Sequence, residues 1–211
     1  MVKKMMDQED KKHWYDGKIY NYLIDPATKD TRKIISSLIE DNASVIDIGC
    51  GTGSLVFYLS DKCKYVMGVE LSKKMIEYSN SIKEEKIISN VKFIHGNAEQ
   101  ISELTNERFD YAVFSLSLHE MKSESRVRTL EEIKKVTDRI IIYDYLVKNN
   151  TSFRGALNSI VEFLAGKDHF YNYKTFQKEN GIFGLLENNE FKIEKTIIDK
   201  ESYAAVKARW K

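Results

Sequence analysis

The chain has 211 residues, enough for one domain with a sizeable core. Hydrophobic residues make up 42% and charged residues 31%, the balance of a soluble globular protein. With 33 basic and 32 acidic side chains the net charge is +1, so no overall field gathers nucleic acid or an anionic membrane.

Residues 1–12 alternate charge with methionines and lack an apolar stretch of signal-peptide length. No window approaches the ~18 apolar residues of a membrane-spanning helix, so no membrane span is expected. His13 to Asp25 is rich in tyrosine, and the only proline, Pro26, follows it. Ile34, Ile35, Leu38 and Ile39 then make an apolar stripe on a helix ahead of the first strand.

Next comes an apolar, β-branched run, Val45-Ile46-Asp47-Ile48, leading into Gly49-Cys50-Gly51-Thr52-Gly53. An amphipathic segment, Ser54 to Ser60, follows at once. This pattern predicts a buried strand, a loop whose backbone approaches a ligand, and a helix opening over it. Neither familiar phosphate pattern fits. A P-loop ends in Gly-Lys-Ser/Thr, whereas Gly53 precedes Ser54-Leu55; the dinucleotide fingerprint wants glycine where Ser54 or Val56 stands. A diphosphate site also wants few anions, and Asp47 stands beside the loop. A cationic ligand can use such an acid.

Tyr65 to Glu70 is a second apolar run ending in an acid, and Leu71, Met75, Tyr78 and Ile82 form a helical stripe after it. An acid roughly 20 residues beyond a glycine loop can accept hydrogen bonds from ribose hydroxyls. A third strand, from Val91, stops at Gly96-Asn97, ahead of Ala98-Glu99. His95 is expected at the strand end, facing solvent.

Asp47-x-Gly49-x-Gly51-x-Gly53, Glu70 and Asn97-Ala98-Glu99 together resemble the motifs of class I S-adenosylmethionine-dependent methyltransferases. The likeness runs from Trp14 to Trp210 and is nearest to the small-molecule type, similar to the ubiquinone/menaquinone-biosynthesis group. It implies S-adenosyl-L-methionine as cofactor. It also implies cofactor contacts from Asp47, Gly49, Cys50, Gly51, Gly53, Glu70, Leu71, Asn97, Ala98, Glu99 and Ser115. Asn97 stands where the family often has Asp, and its amide can still donate and accept. Tyr15 and Tyr20, in Trp14-Tyr15-Asp16-Gly17 and beyond, would cover the cofactor, where an aromatic face stabilises a sulfonium as it does an ammonium.

Two further strands are expected, Phe109 to Leu116 and Arg139 to Leu146, with Val127, Leu130, Ile133 and Val136 as the inner stripe of the helix between them. The fourth strand runs out through Ser115-Leu116-Ser117-Leu118-His119-Glu120. In this fold that end lies nearest the transferred methyl. His119 is the candidate general base, or else a pocket-shaping residue, and Glu120 would orient it or serve the next helix. Asp144 faces the pocket or simply ends the fifth strand. Arg154, His169, Phe170, Tyr171 and Tyr173 populate an insertion, 148–180, that suits a planar acceptor or a packed lid. Phe191 to Ile198 and Tyr203 to Trp210 form an antiparallel hairpin around Asp199-Lys200.

Strand–helix alternation predicts an α/β fold. With the resemblance, this becomes a Rossmann-like seven-stranded, mostly parallel sheet with an antiparallel C-terminal hairpin and helices on both faces. One domain, 1–211, is expected, with 1–28 as a cofactor and substrate cover. Two cysteines, Cys50 and Cys63, cannot build a disulfide framework, so a reduced, cytoplasmic setting is expected. No metal is expected, since no Cys/His cluster has ligand spacing.

The leading reading is methyl transfer to a small-molecule acceptor, by a monomer or homodimer. The alternatives are a non-catalytic S-adenosylmethionine-binding protein and an NAD-dependent oxidoreductase. An Asn/Asp-Pro-Pro-Tyr motif for exocyclic amines is impossible with proline only at Pro26. Cytosine-carbon methylation wants a cysteine near the fourth or fifth strand, and neither Cys50 nor Cys63 is there.

Overall fold

The computed structural model describes residues 29–147, 167–199 and 202–211. Helix α1 (Lys29–Ser36) precedes β1 (Ser44–Ile48); α2 (Ser54–Ser60), β2 (Tyr65–Glu70), α3 (Lys73–Glu85) and β3 (Val91–His95) follow. A 3-10 turn (Ala98–Gln100) and α4 (Ile101–Leu104) lead to β4 (Tyr111–Ser115), α5 (Ser123–Val136) and β5 (Arg139–Tyr145). The last elements are α6 (Lys167–Lys178), α7 (Gly181–Asn188), β6 (Phe191–Asp199) and β7 (Tyr203–Trp210). The sheet order is β3-β2-β1-β4-β5-β7-β6. β1 to β5 pair in parallel, and β7 pairs antiparallel with both β5 and β6.

The period-two alternation of the strands divides the core in two. Val45, Val66, Val113 and Ile141 face one layer with Ile35 of α1, Leu55, Val56 and Leu59 of α2, and Ile76 of α3. Ile46, Ile48, Met67, Val69, Phe114, Ile140 and Ile142 face the other, with residues of α5, α6 and α7. These strands read as continuous apolar runs because they are covered on both faces. β1 and β4 are central and adjacent, and the strand order reverses between them. That is where an open α/β sheet holds its ligand, outside the carboxyl ends of the strands.

Three helical stripes differ from expectation. α1 ends at Ser36, and Leu38 and Ile39 are buried from the turn beyond it, where the Leu38 N–H donates to the Ile35 carbonyl at 3.0 Å. On α3 the buried residues are Met75, Ile76 and Ser79; Tyr78 and Ile82 are half-buried. On α5 the inner face holds Arg126, Thr129, Leu130, Ile133 and Val136, while Val127 is 43% exposed. An arginine with a partner on each of its three nitrogens can take an inward position that apolarity alone assigns to its neighbour. The described part of the insertion is packed, with Tyr173 and Phe176 of α6 both 1% exposed within the core. No described helix is long and apolar enough to cross a membrane.

Candidate cofactor and acceptor site

The loop after β1 turns back on its own strand pair. Gly49 and Cys50 both donate to the Val69 carbonyl, at 2.8 and 3.1 Å, and Gly53 donates to Cys50 at 2.9 Å. Gly51 and Gly53 have φ of +54° and +78°, the left-handed region where side chains are strained. Their surroundings differ. A Cβ on Gly53 would sit 2.6 Å from the Phe93 ring, so that glycine is a packing requirement. Among the described residues, a Cβ on Gly51 would have only the Met75 sulfur within 4 Å, at 3.9 Å, so they leave that side of the loop open. Cys50 is buried, its thiol pushed up by burial and by the Asp47 and Glu70 charges, and its Sγ donates weakly to the Gly51 carbonyl.

Asp47 and Glu70 stand on one side of this loop. Asp47 is 1% exposed on β1, opposite Gly68 of β2, and its Oδ1 has no hydrogen-bond partner among the described residues. Burial first, and then the Glu70 charge, push its carboxyl up from 3.8 to about 7. Glu70 accepts from the Gly51 N–H at 3.1 Å through Oε2 and from the Ser72 N–H at 2.9 Å through Oε1. Two carboxyls beside an open glycine loop, one with an orphaned oxygen, suit a cationic ligand and repel a diphosphate. S-adenosylmethionine, with a sulfonium and an ammonium, fits that donor-poor, acid-rich cradle.

The remaining cofactor candidates are spread along the same edge. The Leu71 carbonyl meets Nε2 of His95 at 2.9 Å, so His95 is half-buried and ties β3 to β2 rather than facing solvent. Asn97 Oδ1 accepts from the Glu99 N–H at 2.9 Å and caps the 3-10 turn, leaving Ala98 half-buried at its start. Glu99 pairs at 3.4 Å with the exposed Arg128. Ser115, half-buried, ends β4 opposite Tyr143. Tyr15 and Tyr20 lie outside the described residues, as do Trp14, Arg154 and the rest of 1–28 and 148–166.

Beyond Ser115 the chain kinks at Leu116, whose φ is +55°, and Ser117 lands on the glycine loop. Ser117 Oγ donates to the Ile48 carbonyl at 2.9 Å, and a Cβ on Gly49 would lie 2.9 Å from Ser117 Cβ. His119 follows, 3% exposed. The carboxylate that meets its imidazole is Asp144 of β5, at 2.7 Å from Nδ1, and not the expected Glu120. The half-buried Glu120 contributes its backbone carbonyl, which accepts from Asn172 Nδ2 at 2.7 Å. Asp144 was separable from an ordinary strand-ending acid only by the pairing of β4 with β5. Two other residues passed unnoticed in sequence. Arg32 of α1 bonds to Ser54 Oγ at the start of α2. Arg126 reaches the carbonyls of Leu118 and Asn172 and the carboxylate of Glu179, at 2.9, 2.6 and 2.8 Å.

Comparison with known proteins matches residues 39–180 to a family described as a methyltransferase domain. A probable S-adenosylmethionine-dependent methyltransferase of Saccharomyces cerevisiae is 24% identical over 131 residues, covering 62% of this chain and 45% of that one. Demethylmenaquinone methyltransferase of Oceanobacillus iheyensis is 28% identical over 111 residues, covering 51% and 44%. This chain thus spans less than half the length of these curated relatives. Other relatives are named RNA methyltransferases. Among solved structures, magnesium protoporphyrin IX methyltransferase of Synechocystis with bound S-adenosylhomocysteine superposes with a TM-score of 0.64 at 18% identity, covering 89% of this chain and 85% of that one.

Proposed function

We infer, because the chain belongs to the methyltransferase-domain family, that it is an S-adenosylmethionine-dependent methyltransferase and that its acceptor is a small molecule. The observation that carries the reading is the buried Asp47 carboxyl, whose Oδ1 has no partner beside the open face of Gly51. Asp47 answers the positive charge of the methionine half. Glu70, at the end of β2, receives the ribose hydroxyls, and the Asn97–Ala98 backbone reads the adenine edge. Bound there, the cofactor supplies a methyl group already activated by the sulfonium charge. The protein's own share is alignment and exclusion of water, which can supply several kcal/mol of the barrier.

A small acceptor is supported by three features of the chain. Its charge is balanced, it has no Asn/Asp-Pro-Pro-Tyr motif, and neither cysteine stands at the end of β4 or β5. The named likeness to a quinone-precursor methyltransferase points the same way. The RNA methyltransferases among the relatives make RNA the second substrate to test.

Calorimetric titration with S-adenosylhomocysteine and with NAD tests the cofactor, with binding expected for the first alone. Transfer of labelled methyl groups to a metabolite panel, against total RNA, tests the acceptor. Label entering RNA alone overturns the small-molecule assignment, and cofactor binding without any transfer favours a non-catalytic binding protein.

A further inference from the structure

Asp47 and Glu70 share one desolvated space, and the described backbone supplies donors to Glu70 alone. Its carboxylate accepts from the Gly51 and Ser72 N–H groups, at 3.1 and 2.9 Å. Asp47 is buried, and no described residue meets its Oδ1. Its neighbours across the sheet are Gly68 of β2 and Val113 of β4, whose side chains offer no donor. By the two-residue repeat of β1, Asp47 points with Val45 into the layer that also holds Cys50 and Phe93. The Cys50 thiol feels the charges of both acids, which puts the two carboxyls together beneath the glycine loop.

The titratable groups that face Asp47, among the described residues, are Glu70 of β2 and Cys50 of the loop. Helix α2 sends Leu55, Val56 and Leu59 inward and α3 sends Met75, Ile76 and Ser79, none of which carries charge. An ionised carboxylate held dry, without a donor and beside a second anion, is costlier than the neutral acid. The acid with two backbone donors therefore keeps its charge, and the acid without them keeps a proton. Burial and then the Glu70 charge push the Asp47 carboxyl up to about 7, where that proton exchanges with water near neutral pH. A cation arriving beside the loop reverses the balance, because it favours the charged form.

We propose that binding of the methyl donor, or of its demethylated product, is coupled to the release of a proton, which Asp47 carries while no ligand is bound and gives up to solvent when the ligand's ammonium arrives. This rests on the cofactor reading above and adds a direction to it, since protons and ligand then compete. Affinity rises with pH through neutrality and levels off once Asp47 is ionised in the free protein. Acidification unloads the site without any change in the ligand.

Calorimetric titration of the wild type with S-adenosylhomocysteine tests this. At pH 6.5 the binding heats in PIPES and in imidazole should differ by the difference in ionisation heat of the two buffers, scaled by about three-quarters of a proton released. At pH 8, in HEPES and in Tris, the release should fall to about a tenth of a proton, with affinity about fourfold higher than at pH 6.5. Asp47→Asn should bind more weakly than wild type at pH 8, release no proton at either pH, and show an affinity that does not vary with pH. A release that persists in that variant comes from another group and overturns the proposal. Infrared difference spectra of the wild type need no variant to fold: a protonated-carboxyl band should be lost on binding at pH 6.5. Binding without that loss, or without proton release at pH 6.5, overturns the proposal. Failure to bind S-adenosylhomocysteine at any pH instead overturns the cofactor reading beneath it, and the proposal falls with it.

Discussion

Glu70 holds the Gly51 N–H at 3.1 Å, so the acid that ends β2 is tied to the loop that leaves β1. Its other oxygen holds the Ser72 N–H, which sets the start of α3. One carboxylate thereby fixes the spacing between two neighbouring strand ends. Replacing Glu70 with alanine strips the acceptor from two backbone donors, about 1–3 kcal/mol for each that stays unsatisfied. Thermal melting of Glu70→Ala is expected several degrees below wild type, with S-adenosylhomocysteine affinity down tenfold or more by calorimetry.

Asp47→Asn is expected to move stability and affinity in opposite directions. The carboxyl is raised from 3.8 to about 7 in the folded protein, so the folded state holds a proton that the unfolded state has lost. The ligand-free protein therefore loses stability as pH rises from about 4 to 7, by ~4 kcal/mol in total, and the full penalty applies above that window. Asparagine carries no such penalty. Melting of the ligand-free variant should exceed that of wild type at pH 8, with the difference shrinking towards pH 4. Affinity for S-adenosylmethionine should fall.

Gly51→Ala and Gly53→Ala separate the two duties of the loop. Both place a side chain at positive φ, which costs roughly 1–2 kcal/mol. At position 53 the new methyl also meets the Phe93 ring at 2.6 Å, so that variant should unfold at lower denaturant. At position 51 the methyl meets no described residue closer than the Met75 sulfur at 3.9 Å, so the larger effect should be on S-adenosylhomocysteine binding. Equal binding by Gly51→Ala and wild type would show that no ligand approaches there.

Arg126→Met should be destabilising by about 2–4 kcal/mol in urea. It removes donors from the Leu118 and Asn172 carbonyls and the cationic partner of Glu179, which keeps the Ser123 hydroxyl, although methionine keeps part of the packing against Phe176. Asn172→Ala, which releases only the Glu120 carbonyl, should cost about 1 kcal/mol.

The glycine loop and the two acids of the candidate site were legible in the sequence because they are local. Asp47, Gly49, Gly51 and Gly53 fall within one strand and one turn, and Glu70 closes the next strand in the same register. The His119 partner was not legible. Glu120 is adjacent in sequence, whereas Asp144 arrives by the pairing of Ser115 with Tyr143 across β4 and β5. The inward turn of Arg126 was hidden for a related reason. Its acceptors lie on Leu118, Asn172 and Glu179, far apart in the chain, so only the assembled fold makes a buried guanidinium affordable. The helical stripe of α1 was read one turn too long, since apolar residues beyond a helix end are buried as readily from a turn, and on α3 the buried face is shifted to Met75, Ile76 and Ser79.

The division of strand residues between two layers also has an evolutionary side. Odd positions of β1 and even positions of β2 carry Asp47 and Glu70 on one flank, while β5 sends Asp144 to the other. Substitutions in α5 and α6 can therefore repack the layer around Asp144 without disturbing the layer that carries Asp47 and Glu70. A chain built this way can vary one face of its sheet and keep the other.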